Sequence, residues 1–314
     1  MNWLLRSGFD SGLGWALGVA LVAGGCSSET EADGDTRETA TVATTTPEGD
    51  GGGSSEGGEE EIEPGPEGVA RISSVTARNF SSGAVERGSV SAQFYDIDPD
   101  PFDEDLETVG DCRVRTLTSL GGGGAPDYKD AGAIQITGGL TPIEVTRSTS
   151  FYDPIQRDTR LWDPGSSLAV VAEGGTDIGS FSATLVAPAH IEITQPEFFL
   201  GQDALTVDRG ADLQLRWSGT TSGRIVVSID RPNAPGEENE STRGMSCAFD
   251  PAAGQGTVPA AALGRLEAGS GTMTVDVVNA ETLGVDGWGA VVVQLVTDGL
   301  NGQGVPYQRG ITLQ

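Results

Sequence analysis

The sequence is poor in basic residues, and this shortage limits the partners that it can bind. Its 314 residues include 18 Lys and Arg against 46 Asp and Glu, a formal net charge of -28, and Lys129 is its one lysine. Binding to polyphosphate relies on clustered basic side chains, so the composition disfavours nucleic acid and anionic lipid surfaces as partners. Cationic partners or metal ions suit it better, although acid-rich surfaces also occur simply because they keep a protein soluble.

The sequence also has a single histidine, which restricts the catalytic chemistry open to it. His190 follows Ala187-Pro188-Ala189, and no nucleophile elbow on a strand-to-helix turn accompanies it. Zinc-ligand spacings of Cys and His are absent as well. We therefore expect a protein that is not an enzyme, with His190 on the surface at the entrance of a strand. A glycan hydrolase remains an alternative, because it needs only two suitably spaced carboxylates.

No apolar run is long enough to span a bilayer comfortably, but a short one lies near the start. Residues 13–22 have the length of the core of a secretory signal, and they are followed by Ala23-Gly24-Gly25-Cys26. Small residues before a cysteine suit a signal peptidase, and the thiol can carry a diacylglycerol group. The stretch resembles the lipobox of bacterial lipoproteins. The resemblance implies a signal peptide over residues 1–25 and a lipid anchor on Cys26.

The segment after Cys26 is almost free of large apolar side chains. Residues 27–68 hold thirteen acidic residues against Arg37 alone, with many Gly, Ser and Thr. Such a segment cannot bury enough surface to offset its ordering entropy, so residues 26–68 are predicted to be a lipidated, disordered acidic tether. In the lipoprotein family an Asp after the cysteine favours the inner membrane. Ser27 at that position implies the outer membrane.

From Val69 onward, apolar and polar residues alternate between turn signals, which is typical of half-buried antiparallel strands. We predict an all-β fold of two antiparallel β-sandwich modules, residues 69–188 and an immunoglobulin-like 189–314, with one larger sandwich as the alternative. Pro259 starts the one short helix expected, over residues 259–266. The clearest strands are residues 89–95, 133–137, 167–171, 180–186, 212–217, 224–229, 272–278 and 290–296, with a closing strand at the C-terminus.

Three tryptophans are assigned from their sequence neighbours. Trp217 alternates with apolar residues and is expected in a sandwich core, whereas Trp162 and Trp288 lie beside Asp or Gly and are either surface residues or packed inside the fold. Trp217-Ser218-Gly219, Cys247-Ala248-Phe249 and residues 256–263 also resemble a recurring arrangement in envelope lipoproteins of the myxobacterial type. That resemblance implies architecture and compartment, and no activity.

One acidic stretch has the ligand spacing of a calcium loop. Asp96, Asp98, Asp100 and Glu107 hold positions one, three, five and twelve, where carboxylate oxygens can converge on a hard cation. Pro101 holds the sixth position, where an EF-hand needs glycine, so a true EF-hand is not predicted. We expect these residues to form either another kind of calcium site or an exposed acidic loop.

Two cysteines remain once Cys26 carries lipid. Cys112 and Cys247 are an even pair for an oxidising compartment, and they form either a disulfide or two separately buried thiols.

The sequence as a whole favours a non-catalytic envelope lipoprotein that binds a protein, a glycan or an ion. Calcium-stabilised adhesion and glycan hydrolysis are its alternatives.

Overall fold

The structure is a computed structural model, and it describes residues 70–82, 85–97, 102–119, 126–198, 204–231 and 241–314. Cys26, the predicted signal peptide and tether, and Asp98 and Asp100 lie outside these residues. Among the described residues, no helix combines the length and hydrophobicity needed to cross a bilayer.

The described chain is built almost entirely of β-strands, as predicted. The first ten strands are β1 (Ala70–Ser82), β2 (Val85–Ile97), β3 (Phe102–Val109), β4 (Cys112–Ser119), β5 (Asp127–Tyr128), β6 (Ile134–Thr137), β7 (Ile143–Val145), β8 (Ile155–Arg157), β9 (Ser167–Ala172) and β10 (Phe181–Val186). The others are β11 (Ile191–Gln195), β12 (Leu205–Val207), β13 (Leu213–Ser218), β14 (Arg224–Arg231), β15 (Ser241–Phe249), β16 (Gln255–Val258), β17 (Gly269–Val285), β18 (Gly289–Leu300) and β19 (Gln308–Leu313). A 3₁₀ turn (Pro251–Ala253) and a short helix, α1 (Ala260–Leu263), follow β15 and β16.

The first hydrophobic core lies between a four-stranded sheet, in the order β10-β9-β6-β7, and the faces of β1, β2 and β18. In β10 every second residue is buried, because neighbouring side chains of a strand point to opposite faces. The buried set includes Phe94, Ile134, Leu168 and Phe181. This alternation explains why the sequence pattern located β6, β9 and β10 correctly.

The second core is enclosed by two groups of strands with the order of an immunoglobulin-type sandwich. One group is β16-β13-β11, and the other places β15, β14, β17 and β19 side by side. Leu215 and Trp217 from the first group meet Ile225 and Val227 from the second. Most pairs are antiparallel, and the parallel pair of β12 and β19 joins the first strands of this module to its last.

Two hairpins cross the division that the sequence suggested at Ala187–Ala189. The hairpin β17–β18 reaches from the second core into the first, where β18 pairs in parallel with β1 from Ser74↔Val292 to Asn79↔Thr297. In return, the hairpin β3–β4 pairs with β15 and adds Cys112 and Val114 to the second core. Each core is therefore completed by a hairpin from the other half of the chain.

A disulfide fixes the second of these exchanges. Cys112 of β4 and Cys247 of β15 lie directly opposite each other in the strand register and are bonded. The two half-cystines are separated by 135 residues and are buried. A cross-link over so long a loop removes much conformational freedom from the unfolded chain, on the chain-entropy account of disulfide stabilisation.

Replacing both cysteines in a Cys112→Ser, Cys247→Ser variant is expected to lower the free energy of unfolding by about 2–5 kcal/mol. Urea denaturation of the wild-type and variant proteins measures the difference, with Cys26→Ser as the control that leaves the cross-link intact. Peptide mapping without reductant should recover the Cys112 peptide joined to the Cys247 peptide. Alkylation of both cysteines in the unreduced native protein would contradict the pairing.

Candidate functional site

A cavity of about 470 Å³ opens where the two halves of the chain meet. Its lining comes from β1, β2, β17, the end of β18 and the start of β19, which belong to one continuous sheet. Its volume is within the range of small-molecule binding sites. The lining is rich in hydroxyl groups and consists of Thr76, Arg78, Phe80, Ser81, Ser89, Ser91, Thr274, Val275, Asp276, Asp298, Pro306, Tyr307 and Gln308.

The alternation of the strands places these side chains in the cavity. Val75 and Ala77 of β1, and Val90 and Ala92 of β2, point into the first core. Their neighbours must then point to the opposite face of the sheet. For that reason Thr76, Arg78, Phe80, Ser89 and Ser91 face the cavity together, and the direct pairing of Thr76 with Ser91 and of Arg78 with Ser89 keeps them in two adjacent rows.

A charged trio forms one end of the cavity. One guanidinium nitrogen of Arg78 donates to Asp276 at 2.7 Å and to Asp298 at 2.5 Å. The two carboxylates lie opposite each other on β17 and β18, and the backbone N–H of Ser81 also donates to Asp298. Their side chains are only 10% and 3% exposed, so the arginine compensates two charges that are largely removed from water.

Burial and neighbouring charge shift the pKa values of this trio. Burial raises the pKa of Asp276, the positive charge of Arg78 opposes that shift, and the nearby carboxylate of Asp298 adds to it. Burial alone would lower the pKa of Arg78, but the two carboxylates more than offset it, and the pKa is raised. The guanidinium is therefore permanently charged, while Asp276 keeps its proton to a higher pH than an exposed aspartate does.

Thr274 provides the one cavity hydroxyl that is both buried and without a hydrogen-bond partner among the described residues. The residue is 5% exposed, and its Oγ1 makes no hydrogen bond. A buried polar atom left unsatisfied costs about 1–3 kcal/mol. A ligand hydroxyl in the cavity would relieve that cost.

His190 lies beside this site, directly before β11 as predicted, but its side chain is only partly exposed. Its side chain is 18% exposed, and Nδ1 donates to the carbonyl oxygen of Asp298 at 2.8 Å. The hydroxyl of Thr297 is 3.1 Å from the same nitrogen, and Nε2 lies 3.7 Å from Glu86. The ring links the segment before β11 to β18 and is not part of the cavity lining.

The predicted calcium ligands that the structure describes lie on separate strands, each with its own cation. Asp96 on β2 is paired with Arg71 at 3.2 Å and with Lys129 at 3.4 Å, whereas Glu107 on β3 is paired with Arg265 at 2.7 Å. Within the described ranges, no group of three or more acidic, Cys or His residues is arranged to hold a metal. The calcium site stays a prediction, since Asp98 and Asp100 lie outside those ranges.

The three tryptophans are all buried. Trp217 is buried as expected, packs against Phe249 and donates from Nε1 to the carbonyl oxygen of Pro251 at 2.9 Å. Trp162 and Trp288 are also buried, at 0% and 4% exposure, so both are packed inside the fold, which is one of the two alternatives left open by the sequence. Trp288 lies in a tight turn between β17 and β18. That turn packs into the first core, where the guanidinium carbon of Arg71 lies 4.7 Å from the centre of the Trp288 ring.

The cavity residues were not predicted from the sequence, although one signal for them was present. Residues 74–80 alternate Ser, Thr and Arg with Val, Ala and Asn, which is the period of a strand with one polar face. The polar face gave no reason to expect partial burial. That follows only from the parallel pairing with β18, which lies more than two hundred residues away along the chain.

Comparison with known proteins adds little to these observations. No protein-family model matches the chain, and no curated protein matches it. Among solved structures, the FN1–FN3 domains of chicken CNTN1 are similar over 64% of this chain and 67% of theirs, at 12% identity and a TM-score of 0.15. The titin Ig tandem domains A164–A165 are similar over 74% of this chain and 97% of theirs, at 10% identity and a TM-score of 0.14. Similarities at such TM-scores support no conclusion, and the fold assignment rests on the strand order.

The raised pKa of Asp276 predicts a pH-dependent term in the stability of the fold. The native state holds this proton more tightly than the unfolded state, whose aspartates titrate near about pH 4. The contribution of this residue to the free energy of unfolding is therefore largest below about pH 4, and it decreases as the pH rises through the native pKa. The free energy of unfolding of the wild type, minus that of Asp276→Asn, should decrease between pH 4 and pH 7 in urea denaturation.

The control for this measurement is Asp158→Asn, which removes the same charge from a side chain that is 97% exposed. Its difference from the wild type should vary much less over the same pH range. A difference for Asp276→Asn that rises with pH would show that Arg78 dominates over burial and would reverse the assignment.

Proposed function

We propose that this protein is a non-catalytic, lipid-anchored protein of the bacterial cell envelope that binds a neutral glycan in the cavity between β1, β2, β17 and β19. The single observation that carries the binding proposal is the buried, unpartnered hydroxyl of Thr274 in a cavity lined with further hydroxyl groups. The all-β sandwich fold, built of strands around two cores, is a common scaffold for binding and structural roles.

The chemistry of the lining favours a ligand rich in neutral hydroxyl groups. Ser89, Ser91 and Thr76 can each donate and accept hydrogen bonds, and Phe80 and Tyr307 add apolar ring surface. The charge of Arg78 is already compensated by two carboxylates, so it does not call for an anionic ligand. The net charge of -28 also opposes the approach of an anion.

The proposed anchor rests on the lipobox-like residues before Cys26 and on the acidic segment that follows. Several acyl chains bury enough CH₂ groups, at about 0.8 kcal/mol each, to hold a protein on a membrane, and the acidic segment would hold the sandwich body away from the surface. A protein built in this way would sample glycans in the space around the outer membrane.

Changing Cys26 to Ser is expected to abolish incorporation of a labelled fatty acid and to move the protein from the membrane pellet to the soluble fraction. The reason is that the acyl chains have no other predicted attachment point. The Cys112→Ser, Cys247→Ser variant is the control and should stay labelled and membrane-bound. Sedimentation of Cys26→Ser with the membranes, or mass spectrometry showing an unmodified Cys26 in the mature wild type, would reject the anchor.

A Thr274→Val variant tests the cavity without disturbing the fold. Valine has nearly the same shape, so removal of an unsatisfied buried hydroxyl should leave the stability unchanged or slightly higher, while the loss of one ligand hydrogen bond weakens binding about three- to tenfold. Isothermal titration calorimetry against neutral cello-, malto-, laminari- and chito-oligosaccharides measures the affinity.

The matched control is Thr282→Val on the same strand. Thr282 also has a buried Oγ1 without a partner among the described residues, but it does not line the cavity. Its substitution should leave the affinity unchanged. If no neutral oligosaccharide binds, or if both valine variants bind alike, the glycan proposal is wrong. Binding of a Lys- and Arg-rich peptide instead would indicate a cationic ligand.

One observation favours glycan hydrolysis as a second candidate function. Asp276 and Asp298 share one nitrogen of Arg78, so their two bonded oxygens are at most about 5 Å apart, no further than the carboxyl groups of retaining glycosidases. The raised pKa of Asp276 suits an acid catalyst. Against this role, Arg78 occupies both carboxylates. Release of new reducing ends from a bound oligosaccharide, lost in Asp276→Asn, would establish hydrolysis.

A further inference from the structure

The face of β2 that lines the cavity leads, further along the strand, to a pair of exposed aromatic rings. Ser89 and Ser91 line the cavity, and Gln93 and Tyr95 follow them on the same face of the strand, because the pairing of β2 with β1 runs without a register shift from Val85 to Ile97. Ser91 and Tyr95 are about 13 Å apart along this face, at about 3.3 Å per residue.

Tyr95 supports the first of the two exposed rings. Tyr128 of β5 lies directly opposite Tyr95 in the register, so both side chains are on the same face, and their ring centroids are 5.7 Å apart. Tyr95 is 6% exposed, whereas Tyr128 is 36% exposed. The outer ring is thus held in place by an inner ring that is itself packed.

The second exposed ring belongs to Phe151, whose backbone is fixed on both sides. Its carbonyl oxygen accepts hydrogen bonds from the N–H and the hydroxyl of Ser148, and the next residue, Tyr152, is buried in the first core. Phe151 is nevertheless 46% exposed, and its ring centroid lies 6.2 Å from that of Tyr128. Arg147 donates to the carbonyl oxygen of Tyr128 at 3.1 Å and ties the turn to β5.

A single exposed apolar residue needs no explanation, but two adjacent rings held rigidly in water at the end of a hydroxyl-lined face are a binding feature. Charges near the pair are matched locally, since Lys129 is bonded to Asp127 and Arg147 lies 3.9 Å from Asp130. Because the nearby charges are paired with each other, the two ring faces suit a neutral ligand that has apolar faces and hydroxyl groups at its edges.

We propose that the protein binds a glycan chain rather than a single sugar, with one end in the cavity and a distal unit stacked on Tyr128 and Phe151. This inference rests on the proposed glycan-binding function. The chain would run along β2 from Ser91 past Gln93 to Tyr128, which packs against the buried Tyr95. Occupation of the distal position then adds affinity only for a ligand long enough to reach it.

The experiment compares a disaccharide and a hexasaccharide of the best-binding neutral series by isothermal titration calorimetry. The wild type should bind the hexasaccharide more tightly than the disaccharide. Tyr128→Ala and Phe151→Ala should each weaken hexasaccharide binding about three- to tenfold and leave disaccharide binding within about twofold, as expected for loss of one aromatic contact. Phe151→Tyr, which keeps the ring, should retain the wild-type affinity.

Leu140→Ala is the control for loss of exposed apolar surface, since Leu140 is 49% exposed and is not part of this face. Thermal unfolding of each variant checks that the fold is intact. Equal affinities of the wild type for both chain lengths, or a hexasaccharide affinity unaffected by Tyr128→Ala and Phe151→Ala, would overturn the extended site while Thr274→Val still weakens binding. Absence of binding to either chain length would overturn this inference and the proposed function together.

Discussion

Both hydrophobic cores depend on the long hairpin β17–β18. At one end, Met273, Val275 and Val277 point into the second core, and at the other end Val291 and Val293 point into the first. The strand register places the odd-numbered residues of both strands on one face of the hairpin. The side chains on this one face therefore contribute to both cores. Neither module can bury its apolar residues without this hairpin, and loss of one core would expose part of the surface on which the other is built. The two halves of the chain should therefore fold and unfold as one cooperative unit.

The cavity is a consequence of the same hairpin. Because the odd-numbered residues of β17 serve the cores, Thr274 and Asp276 must point to the other face, where β1 and β2 meet them. Arg78 crosses the junction from β1 to Asp276 and Asp298, and it compensates two carboxylates that would otherwise be buried alone. A buried ion pair of this kind adds little stability in itself, but removal of one partner is costly, so the trio fixes the geometry of the junction more than it strengthens it. The candidate site is thus held by contacts that also hold the halves together.

Local pattern predicted the strands that are covered on one face only, and long-range pairing explains what it could not predict. The alternating residues of β9, β10 and β13 are covered on one face only, so their sequences show their structure directly. The polar residues of β1 carry no sign that β18 will lie beside them. The Asp and Gly neighbours of Trp162 and Trp288 left open whether these side chains are exposed. Both fill the first core, because tertiary position and not local sequence decides their burial. Pairing of Cys112 with Cys247 is equally invisible locally and follows from the register of β4 and β15.

A ligand in the cavity would touch both halves of the chain at once, and this couples binding to the stability of the junction. A molecule that binds only when β1 and β2 are docked against β17 and β19 stabilises the docked state by RT ln(1 + [L]/Kd), which is about 2.7 kcal/mol at a hundredfold excess over Kd. The unsatisfied hydroxyl of Thr274 works in the opposite direction in the empty protein, because its burial without a partner is unfavourable. The empty junction is therefore less stable than the strand pairing alone would make it, and a ligand that supplies the missing hydrogen bond removes that deficit. Binding and mutual docking of the two halves are then one equilibrium, determined by the same few side chains between β1 and β17.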